Sequence, residues 1–273
     1  MKTRISSFIF SFFALAILLV SCHKKNDTAS PAVQTGNLSF HIHSYIDSVE
    51  IEEDQLIEMT LGSQSGRQIK VSHANLLISN IQLVKADGSM YTISNTLLHP
   101  TIGEEIYPVA AVPIGNYQSV SFDIGLDTSL NATVPTSNNS ILYDSSVWFG
   151  SSASSVPSTG GYVFLHFEGT IDTSSAMDGS QFVPFEYKIG TTANLKTINL
   201  PSTEPFTITT NGTQYVHMVF NYAALLNGIA LHNSRNLYVL SPSDNKLPFV
   251  TTMLGNVKAG GYQQLQNFVS YEE

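Results

Sequence analysis

Apolar residues recur at every second position through much of this chain, and that alternation restricts it to strands. Leu38, Phe40 and Ile42 fall on one side of a run whose other side carries His41 and His43. Val120, Phe122, Ile124 and Leu126 alternate in the same way with Ser119, Ser121, Asp123 and Asp127. Successive side chains of a strand point to opposite faces, so a period of two buries one face and wets the other. Further strands are expected at 69–71, 74–84, 90–93, 161–169, 185–189, 206–210 and 215–222, with Asp87-Gly88 as a hairpin turn. A short helix is expected at 222–226, and the stretch from Ser241 reads as irregular. Strands this short and this numerous, eight to ten of them, predict an all-β chain, an antiparallel β-sandwich with long loops. Residues 128–160, rich in Ser, Thr and Asn and holding the lone Trp148, read as a long loop, functional or disordered.

The first residues set the compartment. Lys2 and Arg4 precede an apolar run of about 16 residues, which suits a signal peptide and is short of the roughly 20 a membrane-spanning helix needs. Leu19-Val20-Ser21-Cys22 closes it, with small residues before a thiol of the kind that carries lipid in exported lipoproteins. The expected division is a signal peptide over 1–21, a lipidated Cys22 with a flexible tether over 22–36, and a single domain over 37–273. Cys22 is the only cysteine, which excludes an intrachain disulfide and any cysteine metal cluster. Residues 1–21 hold two basic residues and no acidic one, so their removal takes the net charge from −9 to −11. Such a chain has no electrostatic footprint for nucleic acid. Anionic lipid would repel it, so acyl chains must hold it to the membrane. The expected location is the cell envelope, as an outer-membrane lipoprotein facing the periplasm or the cell surface.

His41-x-His43 is the feature most suggestive of chemistry. Two imidazoles on one face of a strand, with Cβ atoms roughly 6 to 7 Å apart, can share a metal ion, and imidazole suits copper and zinc. A further ligand must come from elsewhere, the candidates being His166, His217, His232, His73 and Met218. His166 joins the expected metal set of His41, His43 and His166, although a buried imidazole bonded to a backbone carbonyl is its plainer reading. Met218 groups with Val216 and Phe220 as core, and His99 reads as a surface-loop residue. Asp123 and Asp127 read as solvated edge carboxylates. No nucleophile elbow, Walker loop, dinucleotide fingerprint or zinc-protease helix is present, so no catalytic residue is assigned and no enzyme is expected.

Several segments, taken in order, resemble the MbnP-like copper-binding protein family. They are Gly36-Asn37-Leu38-Ser39-Phe40-His41, Leu77-Ile78-Ser79-Asn80-Ile81-Gln82-Leu83, and Val120-Ser121-Phe122-Asp123-Ile124-Gly125-Leu126-Asp127. Trp148-Phe149-Gly150, Gly161-Tyr162-Val163-Phe164-Leu165-His166-Phe167-Glu168-Gly169 and Phe185-Glu186-Tyr187-Lys188-Ile189-Gly190 follow, and the match covers roughly 36 to 230. The resemblance implies a β-sandwich that binds copper outside the cytoplasm, with His41 as a ligand, Trp148 as a loop aromatic near the metal, and a di-haem peroxidase-like protein as partner. Lys188 stands where the family commonly has a histidine. That departure supports a second expectation, a surface adhesion or interaction module for carbohydrate or protein that has lost the metal.

Overall fold

β1 (Thr35–Ile46) is the strand around which the first of three sheets is organised. The computed structural model describes residues 33–60, 62–240, 248–261 and 264–272, which fall almost wholly in the compact unit Gln34–Glu273. The expected signal peptide, the lipidated Cys22 and nearly all of the tether lie outside the described residues. Along β1 the side chains of Leu38, Phe40 and Ile42 are buried, whereas His41 and His43 are half-buried on the opposite face. On one flank, β13 (Thr213–Asn221) pairs with β1 in parallel and β15 (Val269–Tyr271) pairs with β13. On the other flank, β7 (Ile106–Pro113) takes the first part of β1 and β2 (Val49–Glu50) takes its end.

The second sheet runs in the order β14 (Asn236–Val239), β10 (Phe182–Gly190), β9 (Val163–Asp172), β4 (Gln68–Leu76), β3 (Leu56–Glu58). The third joins β11 (Lys196–Asn199) and β12 (Phe206–Ile208) to β8 (Gly115–Ile124), then β5 (Ile78–Lys85) and β6 (Met90–Thr92). One continuous buried cluster draws on all three sheets, with Phe40, Phe122, Phe167, Phe185 and Phe220 essentially without exposure.

The chain is all-β, as the alternation predicts. Eight of the fifteen described strands are eight residues or longer, and the rest are too short for a period to show. β7 escaped the sequence reading because Pro108 and Pro113 interrupt it, and proline cannot donate to a ladder. Two ladders, β1–β13 and β10–β14, are parallel rather than antiparallel. A parallel pair needs a long crossover and leaves no turn signature between its strands. The stretch from Ser241 carries more order than expected, with a helix over Pro248–Asn256 and β15.

Residues 128–160 are a chain of short helical turns, not a loose loop. Helices α1 (Thr128–Asn131) and α2 (Ser140–Tyr143) and the single turn Ser145–Val147 each begin after a side chain that caps them. The caps are Asp127, Asn139 and Asp144, bonding the amides of Leu130, Leu142 and Ser146 at 2.8, 3.1 and 2.8 Å. Asp127, Asn139 and Asp144 thus serve as helix caps rather than as loop polarity. Its apolar residues Leu142, Val147, Trp148 and Val156 form a second, smaller core with Leu77, Leu126, Tyr162 and Phe164.

Candidate metal centre

β1, β13 and β2 of the first sheet, with the residues that flank β7 and β15, contribute to one cluster. The parallel register sets His41 of β1 beside His217 of β13, and the two rings meet edge-on with centroids 4.7 Å apart. Their Nδ1 atoms are 2.8 Å apart. His43 follows on the same face of β1, 4.6 Å from His41 between ring centroids. Three carboxylates surround these imidazoles. Glu105 is placed just before β7, where its carbonyl accepts from the amide of Ile42, and its Oε2 lies 3.0 Å from Nε2 of His41. Glu50 of β2 lies 2.5 Å from Nδ1 of His43. Glu272 follows β15, its amide bonded to the carbonyl of His217, and its side chain stands 3.5 Å from Nε2 of His43 while accepting from Tyr45. Ligand atoms of His41, His43 and Glu105 all lie within 4.8 Å of one another.

The electrostatics of this pocket divide the histidines. Burial works to lower the basicity of His43, but the hydrogen bond to Glu50 and the charges of Glu272, Glu50 and Glu105 outweigh it, and its pKa is raised. His217 moves the other way, lowered by burial and by the neighbouring His41. The hydrogen bond from His41 holds Glu105 below the usual carboxylate range.

The second group of donors lies in the second sheet. His166 and Glu168 of β9 and Glu186 of β10 place ligand atoms within 4.8 Å of one another. His166 therefore does not join His41 and His43 as the expected set had it. It is buried, its Nε2 bonds the Glu168 carboxylate at 3.0 Å rather than a backbone carbonyl, and its ring stacks on His73 at 5.1 Å. Burial, followed by Lys188, His73 and His99, drives its pKa far below the ordinary histidine value. Lys188 sits directly across the ladder from His166 and pairs with Glu186 at 2.8 Å.

His217 is the partner that the His41-x-His43 pair required, found through a parallel register that local spacing does not reveal. Met218 is fully buried core. Trp148 belongs to neither donor group. Only 8% exposed, its indole N–H donates to the carbonyl of Leu142 at 2.9 Å and its backbone bridges to Tyr162. His99 is not a surface residue, since its Nε2 is buried without a hydrogen-bond partner among the described residues and burial lowers its pKa. Asp123 is buried, accepting from Thr197 and Asn80, and Asp127 is a helix cap, so neither is a free edge carboxylate.

No curated protein matches the chain. Among solved structures, MbnP from Methylosinus trichosporium aligns over 71% of this chain and 78% of its own, at 14% identity and a TM-score of 0.44. The MbnP family model matches residues 35–246, from the first residue of β1 through β14, and on that match the chain belongs to the MbnP family.

Proposed function

We propose that this domain binds one copper ion outside the cytoplasm through His41, His217 and His43, and that lipid on Cys22 tethers it to the envelope. The observation that carries the reading is the 2.8 Å between the Nδ1 atoms of His41 and His217. Two nitrogens each about 2.0 Å from a cation, at right angles to one another, stand about 2.8 Å apart. Tetragonal coordination by nitrogen and oxygen is the preference of Cu(II). The donors suit such an ion, since ligand atoms of His41, His43 and Glu105 lie within 4.8 Å of one another, His217 meets His41, and none is a thiolate.

The surrounding acids prepare the ligands. Glu105 accepts from Nε2 of His41, which fixes the tautomer whose Nδ1 carries the lone pair. Glu50 holds Nδ1 of His43 and leaves Nε2 to ligate. His43, with its raised pKa, must release a proton when it does so. Membership of a copper-associated family supports the same conclusion. The adhesion alternative gains little from the 128–160 segment, whose single indole is sealed beneath the loop.

Calorimetric titration with Cu(II) is expected to show a saturable site, weakened at least about tenfold in His41→Ala and in His217→Ala. A chain with no saturable copper site, or one whose affinity ignores both substitutions, would refute the assignment.

A further inference from the structure

The acidic pair in the second sheet poses a problem of charge. Glu168 and Glu186 are direct partners across the β9–β10 ladder, and like charges opposite one another on a sheet repel. Lys188 relieves Glu186, its Nζ 2.8 Å from Oε1. Among the described residues Glu168 pairs with imidazoles, His166 Nε2 at 3.0 Å and, from β4, His73 Nδ1 at 3.5 Å. His166 Nε2 is also 3.5 Å from Glu186 Oε1, so a single ring nitrogen stands between two carboxylate oxygens. A neutral imidazole carries one N–H and can serve one of them. The ring is 5% exposed, and its Nδ1 has no hydrogen-bond partner among the described residues, so hydrogen bonding alone does not account for its position.

A tetrahedral ion does account for it. Ligand atoms about 2.0 to 2.1 Å from such a centre are about 3.3 to 3.4 Å apart, and the contacts of 3.0, 3.5 and 3.5 Å bracket that edge. One nitrogen and two carboxylate oxygens, with a second imidazole at hand, form a donor set suited to Zn2+.

We propose that His166, Glu168, Glu186 and His73 form a second cation site, for a divalent ion of tetrahedral preference such as Zn2+, separate from the His41 pocket. Lys188 regulates it by competing with the ion for Glu186. The site is independent of the copper reading, because it shares no residue with that pocket.

The test is titration with Zn2+ alone in the chain carrying His41→Ala and His217→Ala, which disables the first pocket. One equivalent is expected to bind. Adding Glu168→Gln should weaken it at least about tenfold, as loss of a metal-site partner does. Adding Lys188→Met should tighten it about thirtyfold, the effect of removing one unit charge about 4 Å from a doubly charged ion in water. Absence of saturable Zn2+ binding even with Lys188→Met, or an affinity indifferent to Glu168→Gln, would overturn the proposal. Copper titration of the Glu168→Gln chain separates the two sites, because copper binding is expected to persist there whatever the zinc result.

Discussion

His99 and His166 are imidazoles whose burial favours the neutral ring, and acid should therefore destabilise the fold through them. A group with a depressed folded pKa contributes stability above its unfolded value, about 6.5 for histidine, and that contribution is lost as pH falls below it. His217 and His232 are lowered as well. His43 has the opposite sign, its contribution being full below about 6.5 and lost as pH rises through its elevated folded value. With four groups against one, the metal-free protein should melt at a lower temperature at pH 5 than at pH 7.5, and His99→Gln should shrink that difference. A melting temperature in His99→Gln that falls as far as in the parent would show that this ring is not a source of the effect. At this scale the sequence was partly legible. A strand places residues i and i+2 together, so the His41-x-His43 pair could be read directly. His217 could only be one candidate among five, because nothing local says which distant strand lies alongside. His166 was misassigned for the same reason, its true neighbours being the carboxylates of its own ladder.

Among elements, the junction between the first sheet and its flanking turn depends on Asn221. This residue is fully buried at the end of β13 and caps the short helix over Tyr222–Leu225. Its Oδ1 accepts from the amides of Asp47 and Ala223 at 3.1 and 3.0 Å, and its Nδ2 donates to the carbonyls of Asp47 and Leu265 at 2.9 and 2.8 Å. Alanine there would strand four backbone groups, in a protein interior where each unsatisfied group costs about 1 to 3 kcal/mol. With partial relaxation, Asn221→Ala is expected to cost roughly 2 to 4 kcal/mol, read as a lower urea midpoint at unchanged slope. A midpoint unchanged within error would show that water replaces the amide. The long strands were legible because eight or more residues give several turns of the alternation. The capped segment at 128–160 was not, because Ser, Asn and Asp mark loops and helix starts alike. Only the placement of Leu142, Val147 and Trp148 against β9 and its approach distinguishes the two.

For the molecule as a whole, the proposed tether through Cys22 makes a prediction of its own. Among the described residues no helix is long and apolar enough to cross a membrane. The chain is acidic, which does not favour adsorption to anionic lipid, and lipid on Cys22 is the proposed attachment. Cys22→Ser is expected to move the protein from the membrane pellet to the soluble envelope fraction, as followed by immunoblot. Retention in the pellet would point to another anchor. The fold class was legible at this scale, but the pairing of sheets was not, because two ladders close in parallel over long stretches of chain.

One of those ladders has a temporal consequence. His41 and His217 are 176 positions apart, and closing a segment of that length costs about 4 to 5 kcal/mol in chain entropy before any contact repays it. The last-formed contacts of such a topology are also the slowest. A chain not yet made as far as β13 holds His41 without His217, and so lacks this pair of rings. An ion held between these two rings therefore requires a chain made and folded through β13.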